Sequence, residues 1–425
     1  MNKVLVNLFE LLKCISSAGD LISPLLDNHH QQVAYLSYYI AREQNLPIEE
    51  QKDIFLAALV HDIGVISRKE VLEIIEEEPL TIHNHAMVGS QVLANFKPLE
   101  NSAEIIQYHH IPWEYGKGTT YRNRKVPYGS HIIHLADRIC IKLKSDMNVL
   151  SQLPMILSYI NENREHEFES ELVDTVMKLS KLDFIWLDLL SDSPVDKINT
   201  SVFDIVELEI DDVIDLAFIF SRIIDFRSSF TAKHSACVAK TAAYIAELMC
   251  FSPYECKMML IAGYLHDLGK LAVNNEVLEK PGRLNEDEFN EVRAHSYYTY
   301  QLLSLIPQFR LIKEWAAFHH ERVDGKGYPF HISGEDLSLG SRIMAVADIF
   351  CALTENRPYR QGMEGQKVLE VFSGMAANGA LDPKIVDILQ ENYDQISQLR
   401  TDTENDAVVY YENYLKSSYL TLSNA

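Results

Sequence analysis

His29 precedes His61 by 32 residues, and His234 precedes His266 by the same 32. His85 stands 24 residues before the pair His109-His110, and His295 stands 24 before the pair His319-His320. His61 and His266 each sit in an apolar–H–D–apolar–G string, "LVHDIG" in one half and "LHDLG" in the other. Asp137 lies in "HLADRIC" and Asp348 in "AVADIFC". Of 16 histidines, ten fall on these two parallel frames, so the chain must fold twice into one framework that holds the same polar residues inside. The junction falls around residues 191 to 211, giving a first domain over 1–205 and a second over 206–425.

The framework is helical. "QQVAYLSYYIAREQ" and "SACVAKTAAYIAELM" repeat apolar residues at intervals of three and four, and alternating strand-like runs are nearly absent. Turn signals are local, at "SDSPVDKINTS", "EKPGRLNED" and "GKGYP". The pattern predicts an all-α protein of two tandem domains. The opening stretch "MNKVLVNLFELLKCISSAGDLI" is interrupted by Glu10, Lys13 and Asp20, which predicts an amphipathic helix rather than a signal peptide or membrane span. Six cysteines without a C-x-x-C pair predict free thiols in a reducing, cytoplasmic setting.

In the second half, His234, His266, His295, His319 and His320 join Asp267 and Asp348 in a set of five imidazoles and two carboxylates. That donor set suits two borderline-hard divalent metals such as iron or manganese. Two such ions roughly 3.5–4 Å apart clamp a phosphodiester and activate a bridging water. Asp267, next to His266 at a helix end, is the carboxylate suited to bridge them. The net charge of 38 − 61 = −23 excludes a general grip on DNA or RNA, so an anionic substrate needs local cations.

"YLHDLGKLAV", "EKPGRL", His295, "HHERVDGKGYP" and "RIMAVADIFCALTENRPYR" together resemble the HD-GYP branch of the HD phosphohydrolases over roughly residues 212 to 400. The resemblance implies a helical bacterial enzyme that cleaves a cyclic dinucleotide, cyclic di-GMP or cyclic GMP-AMP, to a linear one. It also implies that His234, His266, Asp267 and Asp348 surround one metal, and that Asp267 bridges to a second held by His295, His319 and His320. Lys270 would then reach the scissile phosphate, while Arg357 and Arg360 contact phosphate oxygens. Phe230 stands where some members carry a glutamate for a third metal, so two ions are expected. Gly325, Gly327 and Pro329 either set the backbone of the signature loop or help dock a signalling partner, and a homodimer is compatible with the pattern.

The first half keeps His29, His61, Asp62, His85, His109, His110 and Asp137 but resembles a plain HD domain. Val65 stands where Lys270 does, "GKGTTYRNRKVP" replaces "GKGYP", and Asp146 and Val149 align with Arg357 and Arg360 when counted without gaps. A regulatory or structural metal domain is the expectation, with a second active site for another phosphate ester as the alternative. For the whole chain the rivals are a different HD nucleotide phosphohydrolase and a non-catalytic cyclic dinucleotide receptor.

Overall fold

The computed structural model describes residues 5–23, 28–65, 83–226, 233–280, 282–356 and 361–407. They divide into two units, one over Asn7–Glu207 and a second that joins the residues before Asn7 to those from Leu208 onward. Both are built from helices, and the strands among the described residues are two residues long. The amphipathic segment near the chain start is the helix Leu8–Asp20, whose first turn is closed by Asn7 Oδ1 accepting from Phe9 N. No helix among the described residues is long and apolar enough to cross a membrane. All six cysteines are free thiols.

Five helices carry the histidine frame in each unit. In the first they are His29–Glu43, Ile48–Leu59, His83–Leu93, Glu100–Gln107 and Tyr128–Lys142. In the second they are His234–Leu248, Pro253–Leu265, Glu286–Leu303, Arg310–Ala317 and Leu339–Thr354. The same neighbours pack in both sets: the first helix lies on the second and fifth, and the fourth lies on the second, third and fifth. The packing follows the apolar spacing, since Val33, Leu36 and Ile40 in one unit and Val238, Ala242 and Ile245 in the other are fully buried. Helix starts are written locally. Ser252 with Glu255 and Asn285 with Glu288 form reciprocal capping boxes, and Pro253 occupies the first helical position.

A short 3-10 turn, Lys97–Leu99 or Pro307–Phe309, precedes the fourth helix, which ends one residue short of the histidine pair, with Tyr108 or Phe318 as its C-cap. The pair therefore leaves the helix at a fixed depth in each unit. The glycine of the H-D-x-G string has an equally fixed task. A Cβ on Gly269 would lie 2.0 Å from the His295 carbonyl oxygen, and one on Gly64 would lie 2.1 Å from that of His85. Only glycine lets the turn after the His-Asp pair approach the helix carrying the next histidine. Gly269→Ala must push these segments apart, so a loss of roughly 2 kcal/mol or more is expected, together with weaker metal retention. Thermal melting alongside metal analysis checks it; an unchanged melting temperature would contradict the close-approach account.

Candidate metal centre

The second unit brings all seven predicted residues together. Asp267 follows His266, which is the C-cap of Pro253–Leu265; His295 lies inside Glu286–Leu303; Asp348 lies inside Leu339–Thr354; His234 opens its own helix. His234 Nε2 is 3.0 Å from Asp348 Oδ1, and His266 Nε2 is 3.2 Å from Asp267 Oδ2. Asp267 Oδ1 faces His295 Nε2 at 3.5 Å, so its two oxygens address different imidazoles. Donor atoms within 4.8 Å of one another form three overlapping groups: His234, His266 and Asp348; His266, Asp267 and His319; and His295, His319 and His320.

The chemistry of these donors fits a cation. His266, His295 and His319 each turn Nδ1 to a backbone carbonyl three residues earlier, on Gly263, Val292 and Ala316, at 2.7, 2.6 and 2.6 Å. A carbonyl only accepts, so Nδ1 carries the proton and Nε2 presents a bare lone pair to the centre. His295 Nε2 and His319 Nε2 nonetheless lie 3.1 Å apart, with no proton to place between them. The buried Nε2 of His266 has no hydrogen-bond partner. Two lone pairs held face to face beside an unpartnered third are a cradle for positive charge. Burial pushes His295 down to about 3 despite the pull of Asp267, and holds His319 and His320 below the ordinary imidazole value. These rings are therefore neutral donors at pH 7. Burial would lower His234 too, but Asp348, Glu355 and Asp267 raise it to about 9, a sign that the carboxylates there attract a cation.

Lys270 lies on the 3-10 turn Leu268–Ala272, with Nζ 2.5 Å from Asp267 Oδ2 and 23% of its side chain exposed. The shared carboxylate holds it beside the cage. The loop after His320 is closed by Glu321, whose carboxylate accepts from the backbone N–H of Phe330, His331 and Ile332 at 2.6, 3.0 and 3.2 Å. This lays the Tyr328 ring against His320, with centroids 4.8 Å apart. Gly325 takes φ +73°, and a Cβ on Gly327 would meet Glu321 Cα at 2.4 Å, so both glycines set the loop's backbone. Arg357, Arg360 and Phe230 lie outside the described residues.

The first unit holds a second cage. Asp62, His85, His109 and His110 form one group, and His29, His61 and Asp137 another. His85 Nε2 and His109 Nε2 are 3.0 and 3.4 Å from Asp62 Oδ1, and His29 Nε2 is 3.0 Å from Asp137 Oδ1. His61 and His109 repeat the Nδ1-to-carbonyl link, to Ala58 and Ile106, and their buried Nε2 atoms have no hydrogen-bond partner. Two differences separate it from the second cage. Val65, at the lysine position, is buried, and Arg138 grips Asp137 Oδ2 at 2.6 Å. Asp146 is exposed and Val149 buried.

Besides Arg138, four contributors escaped the sequence reading. Asp225 accepts from Ser235 N and Oγ, and Asp20 accepts from His30 N, so each holds the residue after the first cage histidine. Asp20 and Asp225 are in frame with those histidines, which is a signal the spacing contained. Glu321 and Glu355 had none, because their partners are backbone amides in one case and His234 Nδ1, at 3.8 Å, in the other.

Comparison with known proteins agrees with this duplication. An HD domain family model matches residues 26–141, and another HD domain model matches residues 219–385. A Vibrio cholerae 3'3'-cGAMP-specific phosphodiesterase 1 is 31% identical over 412 residues, covering 93% of this chain and 94% of the relative. A 3'3'-cGAMP-specific phosphodiesterase 3 of the same organism is 39% identical over 184 residues, or 42% of this chain and 40% of its own length. The cyclic di-GMP phosphodiesterase response regulator RpfG of Xanthomonas campestris is 38% identical over 183 residues, 42% of this chain and 48% of the relative. The fold matches the crystal structure of a V. cholerae cyclic GMP-AMP specific phosphodiesterase, V-cGAP3, with TM-score 0.66 at 24% identity, over 92% of this chain and 98% of that one. HD phosphohydrolases are metal-dependent, in keeping with both cages. With a relative of this identity along nearly its whole length, two HD domains in tandem and the signature loop beside the second cage, the chain belongs to the HD-GYP family of HD-domain phosphodiesterases.

Proposed function

We propose that the second unit hydrolyses a cyclic dinucleotide to its linear form, and that His234, His266, Asp267, His295, His319, His320 and Asp348 hold two divalent cations, iron or manganese. The observation that carries this reading is the set of inward lone pairs around Asp267, with the Lys270 ammonium beside it. When bound, the two metals supply an activated water and a clamp for the phosphate oxygens. The chain supplies the rest. Backbone carbonyls fix the tautomer of three imidazoles, and Asp267 keeps its two oxygens directed at different imidazoles. Lys270 meets the charge that develops on the phosphate, and Arg357 and Arg360 are assigned the outer phosphate oxygens. A signalling partner would dock at the exposed rim of the loop, at Lys326 and Phe330.

The first unit is assigned a regulatory or structural metal site. All seven of its donors are buried, a valine replaces the lysine and Arg138 already occupies an oxygen of Asp137. The test is turnover by the whole protein loaded with Mn²⁺ or Fe²⁺. Cyclic GMP-AMP comes first, because the full-length relative is named for it, and cyclic di-GMP second. Linear dinucleotide that disappears on chelation is expected. No linear product from either ring at full metal loading would contradict the proposal.

A further inference from the structure

The donors of the second cage are not equally buried. Six of its donors are buried, His320 is half-buried, and Lys270 beside them is partly exposed. The Tyr328 ring lies against His320, the least buried of the seven donors. Arg293 reaches the same Tyr328 ring from Glu286–Leu303, two residues before His295. Its guanidinium lies 5.1 Å from the Tyr328 ring centroid and 5.9 Å from that of Phe289. Among the described residues it has no carboxylate within ion-pair distance, unlike Lys270, Lys280 and Arg322 nearby. An arginine steadied by aromatic rings is pre-set in orientation while its N–H fork stays available for a planar pair of acceptors. Phe289, whose ring also meets that of Tyr328, is 46% exposed. In a chain of net charge −23, a cation without a carboxylate partner, stacked on the ring that meets His320 of the proposed phosphate site, is placed to serve the ligand. At the matching place in the first half, two residues before His85, the sequence has His83.

We propose that Arg293 is a specificity-determining residue of the second unit, binding the dinucleotide away from the scissile phosphate through paired N–H donors. Two parts of such a ligand offer the matching pair of acceptors: the oxygens of the second phosphodiester, and O6 with N7 of a guanine. The assignment rests on the cyclic dinucleotide reading above, and wild-type turnover tests that reading separately.

The experiment measures KM and kcat for wild type, Arg293→Ala and Arg293→Lys with cyclic GMP-AMP, cyclic di-GMP, cyclic di-AMP and bis(p-nitrophenyl) phosphate, a small diester without a second phosphate or a base. Arg293→Ala is expected to keep its metal and its kcat within about twofold while KM for the rings rises about tenfold or more, with KM for the small diester unchanged. A rise shared by all three rings identifies the second phosphate; a rise confined to rings containing guanine identifies the base. Arg293→Lys keeps the charge and stem but not the fork, so it should fall between wild type and alanine, and it decides the matter if the alanine protein does not fold. Unchanged ring KM values in a folded variant, or equal losses on the rings and the small diester, would overturn the assignment. Wild type that cleaves the small diester but none of the rings would remove the cyclic dinucleotide reading itself, and Arg293's role with it.

Discussion

Asp267→Ala protein is expected to lose hydrolysis by on the order of a thousandfold or more, together with most of the metal of the second unit. Asp267 is the one carboxylate of that cage with an oxygen toward His295 and another toward both His266 and Lys270. Alanine would leave the two proposed cations sharing a cage in which Asp348 is the remaining anion among the seven donors, with the Lys270 ammonium added to the excess. Removing one partner of a buried charge cluster typically costs about 3–5 kcal/mol, enough to empty a site. Elemental analysis and turnover on one preparation check both parts. Full activity in an Asp267→Ala protein depleted of metal would rule out the two-metal assignment.

Lys270→Ala should separate catalysis from metal binding. Burial alone would lower the lysine, but Asp267, with Asp348 and Asp225 behind it, holds the ammonium above the ordinary lysine value, so it is charged at neutral pH. It is not a metal donor, and its removal leaves all seven donors in place. A positioned charge that meets the transition state is worth about 2.7–4 kcal/mol, so kcat is expected to fall roughly a hundredfold or more at unchanged metal content. If metal and activity fall together, Lys270 acts by holding Asp267 rather than by meeting the phosphate.

Much of this was legible because a duplicated spacing encodes a duplicated framework. The 32- and 24-residue intervals placed His234, His266, His295 and the His319-His320 pair on separate elements that converge, and the structure brings the same set together in both units. Asp20 and Asp225 were legible in the same way, through their common offset, but neither stands in a string of repeated residues. Glu321 was not legible. It works by accepting from three backbone amides nine to eleven residues ahead, and backbone partners have no residue-type signature. Arg138 escaped for a different reason. Its partner is the neighbouring Asp137, so only geometry distinguishes a carboxylate held by arginine from one left open on both oxygens. Arg293 reads in sequence as an ordinary charge on a helix, and its placement on Tyr328 depends on the loop that Glu321 folds back.

Two similar cages are proposed to divide the work, with turnover belonging to the second. Val65 supplies no cation where Lys270 supplies one, and Arg138 competes for Asp137. The most direct test is Asp62→Ala in the whole protein, measured beside Asp267→Ala for metal content, melting temperature and cyclic dinucleotide turnover. Asp62 is to His61, His85 and His109 what Asp267 is to His266 and His295. Asp62→Ala is expected to lose the metal of the first unit and some thermal stability while keeping kcat within a few fold of wild type, whereas Asp267→Ala loses turnover. A folded Asp62→Ala protein whose turnover collapses as far as that of Asp267→Ala would contradict the division.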